Sequence, residues 1–136
     1  MTAPVGRVVW PMAFAADNDF WYGFQRGDTR LCLGGGRNAI DGGEERVVDD
    51  GTLNPQVSEG LRRFLRERFE GLEDVQVEAE WAGILAYTPD ELPVLGKVPG
   101  RAGVWVCGGY SGHGMPVAAA MGAAVADLAH RNEPAS

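Results

Sequence analysis

Cysteine is scarce, positive charge is in deficit and no long apolar run exists. Each shortage closes off a class of protein. Two cysteines in 136 residues exclude a disulfide-stapled mini-domain. Cys32 and Cys107 sit inside apolar, strand-like runs and read as two buried, reduced thiols, with a disulfide between them left open. With His113 and His130 they show no ligand spacing, so no metal site is expected. Twelve Lys and Arg against nineteen Asp and Glu give a net charge of −7. That balance lacks the basic stripe a nucleic-acid binder needs. The one local cluster, Arg62, Arg63, Arg66 and Arg68, interleaves with Glu59, Glu67 and Glu70 and reads as a solvated helix face. No run reaches the roughly 18 apolar residues of a membrane span. Val8–Ala16 follows a single basic residue, Arg7, and Trp10-Pro11 interrupts it. It is a poor signal peptide, and the protein reads as cytoplasmic. No Gly-Lys-Ser/Thr follows a glycine-rich loop, which excludes a P-loop.

What is present is apolar mass and glycine. Hydrophobic residues make up 45% and charged residues 23%, and the length suits one compact unit with a real core. Twenty glycines are about twice the usual share. Residues 1–19 read as irregular, with a short strand at Arg7–Trp10. Phe20–Gln25 and Arg30–Leu33 flank a Gly-Asp turn and predict a β-hairpin ending in Gly34-Gly35-Gly36-Arg37. Residues 38–53 read as a loop with a short strand near Val47-Val48. A helix then opens at Asn54 (N-cap) and Pro55, and Val57, Leu61, Phe64, Leu65 and Leu72 share one face. Gly71 is its left-handed stop. Val75–Trp81 alternates like a half-buried strand, continuing to Tyr87. Thr88-Pro89-Asp90-Glu91 turns the chain, with Thr88 and Asp90 as turn residues. Leu92–Gly96 is extended, Val104–Cys107 is a buried strand, and Pro116 opens a last helix running to about His130. Residues 131–136 are expected to fray. The fold class is α+β: an antiparallel or mixed sheet with a packed helix, then a terminal strand, glycine-rich loop and helix. Pro116–Ala126 carries no charge and is apolar all round, as in a helix covered on several sides. Alone, the chain is expected to self-associate through it.

Residues 104–118 have the architecture of an anion or cofactor cradle. A helix N-terminus offers free N–H groups and partial positive charge, and Gly108, Gly109, Gly112 and Gly114 admit close approach of a ligand. Gly114 is read as a position that can demand positive φ. A tight turn with no ligand is the alternative.

Gly109-Tyr110-Ser111-Gly112-His113-Gly114-Met115 resembles the Gly-x-x-Gly-His-Gly-Met segment of the D-amino-acid-oxidase-like family of FAD-dependent oxidoreductases. Trp81-Ala82-Gly83, followed by Thr88-Pro89-Asp90-Glu91-Leu92-Pro93-Val94-Leu95-Gly96, is similar to that family's Trp-x-Gly and Thr-x-Asp-x-x-Pro-x-x-Gly stretch. The hairpin ending in Gly-Gly-Gly-Arg resembles its substrate-domain hairpin. The likeness covers about residues 20–130, the C-terminal third or so of a full-length member. It implies a substrate-domain sheet and helix over about 20–98, and the last strand and helix of the FAD-binding domain over about 104–130. It further implies that Gly109, Gly112, His113, Gly114 and Met115 face the flavin, with Tyr22, Trp81 and Leu85 as substrate-pocket candidates. No catalytic residue is singled out. The family's Gly-x-Gly-x-x-Gly, which binds the FAD pyrophosphate, is not in this stretch, so the FAD site is incomplete here. A second chain carrying it is the implied partner. Amino-acid-oxidising relatives place Arg-Pro where Leu85-Ala86 stands, which shifts the expected substrate from amino acids toward amines. The resemblance thus implies an oxidoreductase acting on an amine or amino acid. An inactive remnant or interaction domain that keeps the fold is the alternative.

Overall fold

In the first half of the chain a single side chain, Gln25, does the work of a strand. Its Oε1 accepts from the N–H groups of Val9 (2.8 Å) and Trp10 (3.1 Å). Its Nε2 donates to the carbonyls of Arg7 (2.7 Å) and Thr29 (3.0 Å). The segment expected as a strand at Arg7–Trp10 is therefore held by an amide rather than a backbone ladder.

The computed structural model describes residues 1–131. They group into two compact units, Met1–Ile84 and Leu85 onward, rather than the single one read from the sequence. In the first, β1 (Phe14–Ala16), β2 (Trp21–Gln25) and β3 (Leu31–Gly35) form an antiparallel sheet in that order. The hairpin pairs Gly23 with Leu33 and Gln25 with Leu31, as its turn residues predict. Asp28 accepts from the Arg30 N–H and guanidinium, and Arg30 also meets Glu78 at 2.9 Å. Gly23 must be glycine: a Cβ there would lie 2.9 Å from the Phe14 ring and 3.0 Å from that of Trp10. Those rings close over the strand in an edge-to-face pair with centroids 4.9 Å apart. The core is Trp10, Leu31, Leu65 and Leu72, with Val5, Val9, Phe14, Leu33, Phe69 and Val75 packed on it.

Helix α1 (Pro55–Arg68) begins as its sequence dictates. Asn54 accepts from the Gln56 N–H at 2.9 Å and Pro55 is the first helical residue. Leu65 is buried, Val57, Leu61 and Phe64 are half-buried, and Phe64 stacks on Trp21 at 4.6 Å. Past its end Gly71 adopts φ +76°, and the Arg7 guanidinium donates to the Glu70 carbonyl. The arginine cluster is a charged face: Arg62 pairs with Glu80 and Arg66 with Glu59.

Two further expected strands do not form. Val47-Val48 is exposed loop. Val75–Tyr87 is not one strand: Val77 bridges Thr2, with Ala3 donating to Gln76 and Glu78 to Met1, and residues 78–88 lie in no strand. Alternation marks which residues suit a strand, but a strand exists only where a partner offers hydrogen bonds.

In the second unit β4 (Val94–Lys97) pairs antiparallel with β5 (Trp105–Gly108), Leu95 opposite Cys107. Both sheets are antiparallel; neither is mixed. Helix α2 spans Gly114–Arg131, so Pro116 is its third residue rather than its opener. Pro still suits the first turn, where its missing N–H has no intrahelical acceptor. No residue of α2 is buried within the chain. Cys32 and Cys107 are free thiols and half-buried rather than buried, because both lie in strands of small sheets with one open face. Arg131 closes α2, and the rest of the tail expected to fray lies outside the described residues.

Candidate active-site loop

The loop from Gly109 to His113 joins β5 to α2 and is anchored by one buried hydroxyl. Ser111 is 2% exposed and adopts φ +50°. Its Oγ accepts from the Thr88 N–H at 3.2 Å and lies 3.3 Å from Thr88 Oγ1. Its own N–H donates to the Ala86 carbonyl at 3.0 Å. The loop is thus stitched to the 86–88 segment at consecutive points, in place of the expected strand. Thr88 and Asp90 are turn residues, as read: Thr88 Oγ1 donates to the Leu92 carbonyl (2.8 Å) and Asp90 accepts from the Leu92 N–H (3.1 Å).

Glycine is required at two places. Gly109 has φ +67°, and a Cβ there would fall 2.8 Å from Thr88 Cγ2. Gly112 has φ +86° and a Cβ would meet the Tyr87 hydroxyl at 3.4 Å. Gly114 is different. Its φ is not positive; it is the first residue of α2, and a Cβ would sit in ordinary reach of Tyr110 at 3.4 Å. The expectation of left-handed backbone at Gly114 is corrected: the reversal is completed at Ser111 and Gly112, before the helix starts.

His113 is exposed. Its N–H donates to the Tyr110 carbonyl at 2.8 Å, and its Nδ1 lies 3.0 Å from the Ser111 carbonyl oxygen. Met115 is 94% exposed. Tyr110 and Cys107 side chains meet at 3.0 Å. That hydrogen bond, then burial, pushes the Tyr110 hydroxyl above the ordinary tyrosine range. Gly109, Gly112, His113, Gly114 and Met115 are therefore gathered on one turn. Leu85, half exposed, precedes Ala86 at the start of the same unit. Tyr22 and Trp81 belong to the Met1–Ile84 unit; Tyr22 lies over Gly34 and Trp81 is 65% exposed. The sequence reading missed Ser111 as an anchor. Its only signal was a lone small hydroxyl among turn glycines.

The first-turn N–H groups of α2 have no intrahelical acceptor and carry partial positive charge. Beside them Gly112, His113 and Met115 are exposed, so a planar group with carbonyl oxygens fits the donors this turn offers. Among the described residues no group of three or more His, Cys, Asp or Glu side chains could hold a metal ion. Among them, too, no helix is long and apolar enough to cross a membrane.

The chain belongs to the FAD dependent oxidoreductase (DAO) family, which it matches over residues 1–128. It is 32% identical over 114 residues to a glycine oxidase of Pseudomonas aeruginosa, covering 77% of this chain and 31% of that protein. It is 28% identical over 124 residues to a D-amino acid dehydrogenase of Cereibacter sphaeroides, covering 91% and 27%. It is 37% identical over 95 residues to a probable sarcosine oxidase of Arabidopsis thaliana, covering 67% and 23%. The chain spans about a third or less of the length of these relatives. No solved structure matches it significantly.

Proposed function

We propose that this chain is the C-terminal part of an FAD-dependent oxidoreductase that oxidises an amine, in preference to a free α-amino acid, in the cytoplasm. Family membership and the names of the relatives support the reaction class. The observation that carries the site is the exposed Gly112–Met115 turn at the N-terminus of α2. Bound FAD supplies the acceptor for the hydride that leaves the substrate carbon. The first-turn N–H groups of α2 would hold the pyrimidine carbonyl oxygens and would stabilise negative charge there. Gly109 and Gly112 keep the turn thin, Gly114 leaves the helix start uncovered, and His113 and Met115 would lie beside the bound flavin. Residues from about 20 to 98 supply the substrate-domain sheet and helix, and residues from about 104 to 130 the last strand and helix of the FAD-binding domain. The pyrophosphate site belongs to the part of the relatives' length that this chain does not span. Leu85 gives substrate choice its direction: its apolar side chain offers a carboxylate no cation, whereas an Arg there would pair with one.

The test is a visible absorption spectrum after gel filtration with FAD, for the chain alone and with a candidate N-terminal half. Flavin retained only with both halves is the expected result. Stoichiometric flavin on the chain alone contradicts the divided site, and none in either case removes the cofactor reading. Equal kcat/KM for an amine and its α-carboxylated analogue removes the role given to Leu85.

A further inference from the structure

Ser111 is the one buried residue in an otherwise accessible turn, and both its side chain and its carbonyl are engaged. The Oγ and N–H fix it to Thr88 and Ala86. Its carbonyl oxygen then faces His113 Nδ1 at 3.0 Å. A carbonyl oxygen only accepts, so the hydrogen in that contact belongs to Nδ1. In a neutral imidazole the lone pair then resides on Nε2. The His113 backbone is held as well, through its N–H to the Tyr110 carbonyl at 2.8 Å, so the ring has a fixed root.

We propose that Ser111 is a positioning residue that locks His113 in the Nδ1–H tautomer, making Nε2 the ring's acceptor. The consequence, though not the tautomer, rests on the flavin-facing reading of this turn. A neutral His113 of this form cannot donate from Nε2 to a flavin carbonyl; it accepts from an N–H or hydroxyl of the cofactor or substrate. Labour on the turn is divided. The N–H groups of α2 serve the carbonyl oxygens, and His113 serves a donor. A hydroxyl at position 111 is what the arrangement needs, because it pins the residue from the side-chain end while leaving the carbonyl for the ring.

The chain has two histidines, His113 and His130. With ¹⁵N-labelled histidine and His130→Asn for assignment, a two-bond ¹H–¹⁵N correlation in alkaline buffer shows which ring nitrogen carries the proton. The expected spectrum has His113 protonated at Nδ1. Protonation at Nε2 overturns the proposal without any variant being needed. Ser111→Gly suits the left-handed backbone, so the fold survives, but residue 111 loses its bond to the Thr88 N–H and its carbonyl is no longer held on the His113 ring. It is expected to move His113 toward the Nε2–H form and the wild-type spectrum to return with the hydroxyl. An unchanged Nδ1–H population in this variant overturns the role of Ser111. The spectra are recorded without FAD, so their failure strikes only this inference. A missing flavin band in the preceding experiment strikes only the cofactor reading.

Discussion

Ser111 Oγ accepts the Thr88 N–H at 3.2 Å, and this bond ties two sequence motifs separated by 23 positions into one structure. The family-like Thr-Pro-Asp-Glu turn and the Gly-His-Gly-Met loop are therefore a single built unit. Thr88 serves it twice, since its methyl also blocks any side chain at position 109.

The glycines of this loop should separate under mutation. Gly109→Ala is expected to cost about 1–2 kcal/mol for left-handed backbone alone, with the 2.8 Å approach to Thr88 Cγ2 adding to it. Gly114→Ala should be neutral or slightly stabilising, because helical φ suits alanine and Tyr110 leaves ordinary room. Urea denaturation of the two variants gives the comparison. An equal loss at both positions would contradict the assigned backbone.

Gln25→Leu is expected to destabilise the first unit by about 2–4 kcal/mol, with four backbone partners each losing a bond worth about 1 kcal/mol. The N–H groups of Val9 and Trp10 and the carbonyl of Arg7 lose their Gln25 partner, while the Thr29 carbonyl keeps the Val5 N–H at 3.4 Å. Hydrogen exchange localises the effect: protection at Val9 and Trp10 should fall first.

Acid should weaken the first unit. The Arg66 hydrogen bond lowers Glu59, and the N–H groups of Glu73 itself and of Gly71 lower Glu73. Burial acts upward on Asp28, but the N–H and guanidinium of Arg30 outweigh it and the result is lowered. Groups depressed in the folded state stabilise it above their unfolded values, 4.5 for Glu and 3.8 for Asp, and that stability is lost as pH falls through the folded values. Melting temperature against pH should decline in that window. Glu59→Gln should flatten part of the decline, and added salt should shrink it because these groups are exposed.

Cys107→Ala should lower the pH at which Tyr110 ionises, since the hydrogen bond to Cys107 is the leading cause of its upward shift. Ultraviolet difference titration against a Tyr110→Phe control isolates the signal. An unchanged titration would mean the Sγ contact at 3.0 Å is not made in solution.

Short-range chemistry settled much of this protein in advance. Asn54, Pro55 and the three-to-four spacing through Leu65 define α1, because capping and amphipathic periodicity act within a turn or two. The Gly-Asp turn defines the hairpin for the same reason. Gly109 to Met115 reads as a cofactor-type turn from residue types alone, and the resemblance to the family rests on the motifs at Gly109–Met115 and Trp81–Gly96 themselves. Tertiary structure decided what depends on distant partners. Val75–Tyr87 alternates correctly, yet only Val77 finds a bridge, to Thr2 at the far end of the chain. Arg7–Trp10 looked like a strand and is instead bonded by Gln25. Ser111 has the residue type of an ordinary turn position, yet its bonds to Ala86 and Thr88 make it the loop's anchor. Local pattern fixes which conformations are cheap, whereas a hydrogen bond between residues tens of positions apart exists only once the fold has closed the loop between them.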